Sequence, residues 1–338
     1  MTALTPPLSA AVVGLGIGEQ HAVMYARLQE TRLSWLHDLS PSKTAEVRDR
    51  VGQGMIATDF QAILDDAATS IVSIATYDHH HCTEVKKALA AGKHVFVEKP
   101  LCRGIGEARD LKTAWANAGK PHLRSNLVLR AAPVYRWLRA AIESGRLGTV
   151  YAIDGDYLYG RLHKITEGWR KDVPGYSVME GGGIHMADLM IAMAGQRPRR
   201  VVTVGTDLCT RGSGFRHADF MSSTFEFESG IVGRITANFG CVHRHHHVLR
   251  VFGTKATFIY DDAGPRLHAT RDESARAEPI QAETLPGHKG DLIPDFVRAI
   301  LFGEGAETEA QREFDLVCAI AAADQSLSTG QPQDIEYV

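Results

Sequence analysis

The stretch Ala91-Gly92-Lys93-His94-Val95-Phe96-Val97-Glu98-Lys99-Pro100-Leu101 decides how the chain is read. Gly92 is the kind of residue that closes a helix, because it enters the left-handed turn without a Cβ clash. His94 to Val97 is a brief β-branched and aromatic run, the pattern of a strand covered on both faces. Glu98, Lys99 and Pro100 then fall at the carboxyl end of that strand, the edge at which open parallel sheets bind ligands. Pro100 biases Lys99 toward extended backbone. A lysine delivered there can donate to a bound oxygen or, with its pKa lowered, take part in proton transfer. In isolation Glu98 and Lys99 would be a surface ion pair of little consequence; the surrounding pattern argues for chemistry.

Working outward, the first third alternates strand and helix signals. Ser9 to Val13 is an apolar run ending in glycines, and Glu19 to Glu30 has Ala22, Met24, Tyr25 and Leu28 on one helical side. Leu33 to Leu36 ends at Asp38, Phe60 to Asp65 follows a weak strand near Ile56, and Ile71 to Thr76 is a clear strand. Cys82 to Ala91 and Ile105 to Ala118 are helical, with a strand over Leu123 to Val128. This β-α-β rhythm predicts a doubly wound parallel sheet of the Rossmann type over residues 1–128. Beyond the helix Pro133 to Ser144, strand signals predominate: Val150 to Tyr159, a hairpin of Met221 to Phe227 with Ile231 to Phe239, and a pair around Gly253-Thr254. Helices over Leu292 to Phe302 and Ala310 to Ser328 close the chain, and Asp272 to His288 reads as a long loop. Residues 129–338 are therefore expected to form an α+β domain on an open, mostly antiparallel sheet.

Composition narrows the function. At 338 residues two domains are the default, and a net charge of −3 with scattered Lys and Arg points away from nucleic acid and membrane surfaces. Five cysteines without a CxxC pair fit reduced thiols. The opening Met1-Thr-Ala-Leu-Thr-Pro-Pro-Leu lacks a charged n-region and a long apolar h-region, so a cytoplasmic protein is expected.

Gly14-Leu15-Gly16-Ile17-Gly18 sits after the first strand and opens the first helix. Glycines there let backbone approach a pyrophosphate held at a helix N-terminus. The third glycine comes one residue earlier than in G-x-G-x-x-G. Asp38, 24 positions after Gly14 at the end of the second strand, is placed to accept from an adenosine ribose; as a plain structural residue it would be a helix N-cap. A carboxylate there repels a 2′-phosphate, which favours NAD, while Lys43 and Arg48 leave NADP open.

With these residues in view, the chain resembles the Gfo/Idh/MocA family of sugar-type oxidoreductases. The resemblance rests on the glycine turn, Asp38, Ala75-Thr-Tyr-Asp-His-His-His81, Gly92 to Pro100, Asn126, Arg130, Gly145-Arg-Leu-Gly148, Gly181-Gly-Gly-Ile-His185-Met-Ala-Asp188, Gly253-Thr254 and Ser326 to Gly330. Tyr77 and Asp78 stand where the family has Pro-Asn. The resemblance implies hydride transfer at C4 of a nicotinamide, with Lys99 at the reacting hydroxyl and cofactor ribose and His185 as acid/base. It places Thr76, Tyr77, His81, Glu98 and Asn126 by the cofactor, and Arg130 by the nicotinamide. It also implies a second-domain sheet that packs on another subunit, hence a homodimer or homotetramer. The family commonly carries an Asp four residues before the histidine. Gly181 stands there with Glu180 beside it, so either Glu180 substitutes or the proton passes between Lys99 and His185 without a carboxylate.

Other candidates have plainer readings. His79, His80 and His81 cannot share one face, and Asp78 reads as a cap on the helix they begin. His243, His245 and His247 would line one face of a strand. A zinc pair could be built so, yet no Asp, Glu or Cys accompanies them, and no metal is expected. Tyr157, Tyr159, Trp169, Arg170 and Tyr176 precede His185; Tyr157, Arg170 and Tyr176 are the expected substrate contacts, against a buried aromatic patch as the alternative. The sequence thus predicts an NAD-dependent oxidoreductase acting on a secondary alcohol of a sugar, cyclitol or sugar derivative. Its rivals are a redox-assisted glycosidase or eliminase and a ligand sensor on the same fold.

Overall fold

The computed structural model describes residues 5–338. The reading of the N-terminus as free of a secretory signal falls partly on Met1 to Leu4, outside the described residues. Contacts divide the chain into two units.

The first unit runs to Val128 and also takes in Gly287–Val317 and Val338. Its elements are β1 (Leu8–Val13), α1 (Gly18–Arg27), β2 (Thr31–His37), α2 (Pro41–Val51), β3 (Met55–Ile56), α3 (Phe60–Asp65), β4 (Thr69–Ile74), α4 (His81–Ala90), β5 (His94–Val97), α5 (Gly104–Asn117) and β6 (Leu123–Ser125). The strands form one parallel sheet in the order β3-β2-β1-β4-β5-β6. Every residue of β1 and β5 is buried, as their unbroken apolar runs require. The order reverses between β1 and β4, the crevice where doubly wound sheets bind ligands. α1 is shorter than its apolar pattern, because Leu28 turns extended. β6 stops at Ser125, where the chain enters a short 3₁₀ turn over Val128–Ala131. A single cut at residue 128 misses the returning segment. Phe296 packs its ring 5.4 Å from Phe96, and Phe314 lies 6.1 Å from Trp115, so apolar faces far along the chain complete the core under β5.

The second unit spans Leu129–Pro286 and Cys318–Tyr337. It contains α6 (Pro133–Glu143), β7 (Val150–Leu158), α7 (His163–Thr166), α8 (Ile184–Ala194), β8 (Pro198–Thr206), β9 (Phe220–Phe227), β10 (Val232–Asn238), β11 (His246–Gly253), β12 (Thr257–Asp261), β13 (Gly264–His268) and β14 (Glu278–Pro279), with a last short strand at Gln333–Asp334. They make a nine-stranded sheet in which β7 and β10 run parallel and the other pairs antiparallel. Both expected hairpins are present. The expected loop at 272–288 carries β14, paired to β13. On the outward face, Arg234 and Arg250 pair with Asp154 and Asp156 of β7.

Two local expectations are corrected. Asp78 does not cap the helix after it: a 3₁₀ turn over Asp78–His80 intervenes, and α4 starts without a side-chain cap. His243 and His245 precede β11 rather than lie in it, so the three histidines do not share a face. His243 turns out to Asp262 at 2.9 Å, whereas His245 and His247 stay together, ring centroids 4.8 Å apart.

Candidate active site

In the first unit the candidate residues come from the carboxyl ends of β1, β2, β4, β5 and β6. The chain leaves β1 through Gly14 at φ +82°, where a Cβ would lie 2.5 Å from the Ala75 carbonyl oxygen. Only glycine fits that wedge against the end of β4. Gly18 seats α1 with its absent Cβ 3.0 Å from Val12 and 3.1 Å from Ala75, whereas Gly16 has nothing within 4 Å. Two packed glycines thus flank an open one, and Ile17 beside it is exposed. Asp38 accepts from the Leu15 amide through Oδ2 at 2.7 Å and from the Ser40 amide through Oδ1 at 2.9 Å. The capping role falls to Ser40, whose hydroxyl accepts from the Lys43 amide, and Asp38 instead braces the glycine turn with part of its carboxylate open to solvent.

Below the turn lies a network that the sequence analysis missed. His21, fully buried, contacts the Ser73 hydroxyl at 2.9 Å and Glu98 Oε1 at 3.2 Å. Asn126 donates through Nδ2 to Glu98 Oε1 and to the Lys289 carbonyl, both at 2.7 Å. Burial pushes the Glu98 carboxyl up, but the hydrogen bonds of His21 and Asn126, and the adjacent Lys99 charge, hold it below its ordinary value. Lys99 follows, half-buried, with a cis bond to Pro100. His81 is fully buried with Nδ1 2.7 Å from the Pro100 carbonyl oxygen and Nε2 3.2 Å from that of Thr76. It ties the Lys99-Pro100 turn to the end of β4 and has no exposed surface of its own. Thr76 donates to Glu84 at 2.5 Å, and Tyr77 is exposed. The only sequence trace of His21 was its position one turn before Tyr25 on the buried side of α1.

These residues fit a dinucleotide on three counts: the open glycine between two packed ones, the partly open Asp38 carboxylate, and the Asn126 Oδ1. That oxygen is buried and accepts no hydrogen bond among the described residues, an acceptor for which the protein supplies no donor.

In the second unit His185 sits in the first turn of α8, after a π-helical turn over Met179–Gly183. Such turns recur at functional sites. The three glycines let neighbouring side chains pack closely on this segment. A Cβ on Gly181 would meet the Tyr176 hydroxyl, one on Gly182 the Tyr157 ring, and one on Gly183 the Met179 sulfur. The Ser177 hydroxyl accepts from the Met179 and Glu180 amides and donates to Asp324 at 2.5 Å. His185 is buried, its ring stacked on Tyr157 at 6.1 Å and 19°. Tyr159, Phe239, His245 and His247 surround Tyr157. Burial pushes the Tyr157 phenol well up, so it stays protonated and can donate. Arg130 grips Asp188, on the turn after His185, at 2.9 and 2.6 Å, a pair within the second unit. Arg170 covers the Trp169 ring at 4.5 Å, and Tyr176 is buried beside Phe215. Glu180 is buried too. The place above Gly181 is filled by a phenol oxygen, not by a carboxylate. Among the described residues no cluster of His, Cys, Asp and Glu is arranged to hold a metal ion, and no helix is long and apolar enough to cross a membrane. All five cysteines are free.

The family described as an oxidoreductase family with an NAD-binding Rossmann fold matches residues 8–124, and the GFO/IDH/MocA C-terminal domain matches residues 135–259. Among characterised proteins the chain is similar to inositol 2-dehydrogenase 2 of Saccharopolyspora erythraea, 20% identical over 97% of this chain and 96% of that one. It is also similar to levoglucosan dehydrogenase of Pseudarthrobacter phenanthrenivorans, 22% identical over 75% of this chain and 73% of that one. Among solved structures, a levoglucosan dehydrogenase in complex with NADH superposes with a TM-score of 0.86 at 20% identity, over 98% of this chain and all of that one.

Proposed function

The chain belongs to the Gfo/Idh/MocA family of NAD-binding oxidoreductases, and from that premise we propose that it interconverts a secondary alcohol and a ketone on a sugar, cyclitol or sugar derivative, with Lys99 and His185 handling the proton. The observation that carries this reading is the pairing of two devices in one chain. One is a glycine cradle braced by Asp38, with Lys99 at the same sheet edge; the other is a buried imidazole stacked on tyrosine, His185 on Tyr157. Relatives are named for inositol and levoglucosan, both polyhydroxylated rings, which supports that substrate class.

Oxidation removes a hydride from carbon and a proton from oxygen. Gly14, Gly16, Ile17, Gly18, Asp38 and Asn126 would hold NAD, which would supply the hydride acceptor. The ammonium of Lys99 stabilises developing negative charge on the reacting oxygen. The His185 imidazole takes the proton, a change of state within reach near neutral pH. Tyr157 fixes the imidazole plane, and Glu98, His21 and Asn126 fix the strand end that carries Lys99. The same residues run the reduction in reverse. Tyr157, Arg170 and Tyr176 are assigned to the substrate. Val202, Val204 and Val232 lie exposed on the outward sheet face, which supports self-association there as a homodimer or homotetramer.

The test is a panel of polyols, cyclitols and glycosides incubated with NAD and with NADP. The reading expects reduced nicotinamide to appear with at least one cyclic polyol, faster with NAD. Tight NAD binding with no net reduction on any member would reject it in favour of a redox-assisted elimination or a sensor.

A further inference from the structure

We propose that the substrate carries an anionic group, a carboxylate or a phosphate, and that Arg161 and Arg170 receive it. This rests on the sugar-oxidoreductase reading above and narrows its substrate class. Within the second unit a row of rings leads away from the acid/base imidazole. His185 stacks on Tyr157, Tyr157 stacks on Tyr159 at 5.8 Å and 19°, and the Arg161 guanidinium covers Tyr159 at 5.5 Å from its centroid. Arg170 lies over Trp169, and the charges of both arginines reach the Tyr157 phenol.

The setting of Arg161 differs from that of the arginines on the outward sheet face. Arg234, Arg250 and Arg266, on the outward sheet face, are each tied to an aspartate. Arg161 is exposed and forms no ion pair among the described residues; its face is stacked on a ring while its five N–H donors stay at the edge. An arginine held flat in this way is pre-oriented for two-pronged contact with carboxylate or phosphate. The segment between β7 and the turn before His185, residues 159–178, reinforces the sign: Arg161, Lys164, Arg170 and Lys171 stand against Glu167 and Asp172. A neutral polyol has no use for such a field. An anionic one is drawn to it.

The experiment compares matched neutral and anionic pairs on the NAD-loaded enzyme: methyl hexosides with the corresponding hexuronides, hexoses with their 6-phosphates, and inositol with inositol phosphate. kcat/KM is read from nicotinamide reduction, and Kd by calorimetry for every pair. The expectation is a preference of about tenfold or more for one anionic class, the size of a charge-assisted contact. The preference shrinks with added salt. It falls toward unity in Arg161→Gln and in Arg170→Gln and is partly kept in Arg161→Lys. The uronide and phosphate arms separate the two sources of charge. Equal or better handling of the neutral partner in every pair overturns the proposal, and if that partner is oxidised the broader reading stands. An anion preference in Kd with no nicotinamide reduction on any member supports the proposal and overturns the broader reading instead.

Discussion

Asp188 stands one turn beyond His185 on α8 and is held by Arg130 through contacts of 2.9 and 2.6 Å. Both side chains are largely buried. The pair fixes the rotation of the helix that presents the imidazole. Asp188→Ala removes one member of a largely buried ion pair, which costs about 3 kcal/mol. Urea unfolding should show that loss, and kcat should fall more than KM rises. A variant as stable and as fast as the wild type would show that the pair does not position His185.

Gly14→Ala forces a Cβ to within 2.5 Å of a backbone carbonyl at φ +82°. The turn must open, and the backbone that approaches the pyrophosphate moves with it. NADH affinity, followed by fluorescence titration, should weaken at least about tenfold, the order of one lost charge-assisted contact. Gly16→Ala, with open space around its Cβ, is the comparison and should weaken binding less if the packing argument is right.

Gly181→Asp tests what occupies the place above that glycine. Its Cβ would collide with the Tyr176 hydroxyl. Overpacking of this kind costs about 1–3 kcal/mol. The variant should melt lower and turn over more slowly, and Tyr176→Ala in the same chain should recover part of the stability. A gain of activity from the single substitution would mean that the site needs a carboxylate there.

His94 gives the fold an acid-sensitive point remote from the chemistry. The His122 amide donates to its Nδ1 at 3.0 Å, so that nitrogen must be unprotonated. Burial, with a contribution from the His122 charge, pushes the imidazole down from 6.5 to about 4. Between these values the unfolded chain binds the proton and the folded one does not, so stability is whole above 6.5 and falls as pH drops toward 4. By about pH 5 the loss is roughly 2 kcal/mol. His122 and His246, also held low by burial, add to the same slope. His94→Asn, whose amide oxygen can still accept from the His122 amide, should flatten the fall in urea-derived stability between these pH values; an unchanged slope would assign it to other groups.

Much of this was legible in the sequence because it is local. The buried run of β5, the glycine turn and the small residues before His185 announce themselves through short-range pattern and steric need. The return of residues 287–317 to the first unit was not, since Phe96 meeting Phe296 is a long-range contact that no periodicity encodes. His21 escaped because a histidine on an apolar helix face looks like an ordinary core residue until Glu98 and Asn126 arrive from distant strands. The histidines at 243, 245 and 247 were read with a strand's period, but β11 begins only at His246, and Asp262 draws the first of them away.

The most direct measurement is single-turnover hydride transfer in Lys99→Met, His185→Gln and the double variant, with NADH affinity measured alongside. The account predicts that each single substitution slows transfer by about 10²–10⁴-fold. It predicts that the double variant is little slower than the worse single one, as expected of groups acting as a unit. NADH affinity should stay within a few fold in His185→Gln. Transfer at near wild-type speed in either single variant, or losses that simply multiply in the double, would contradict it.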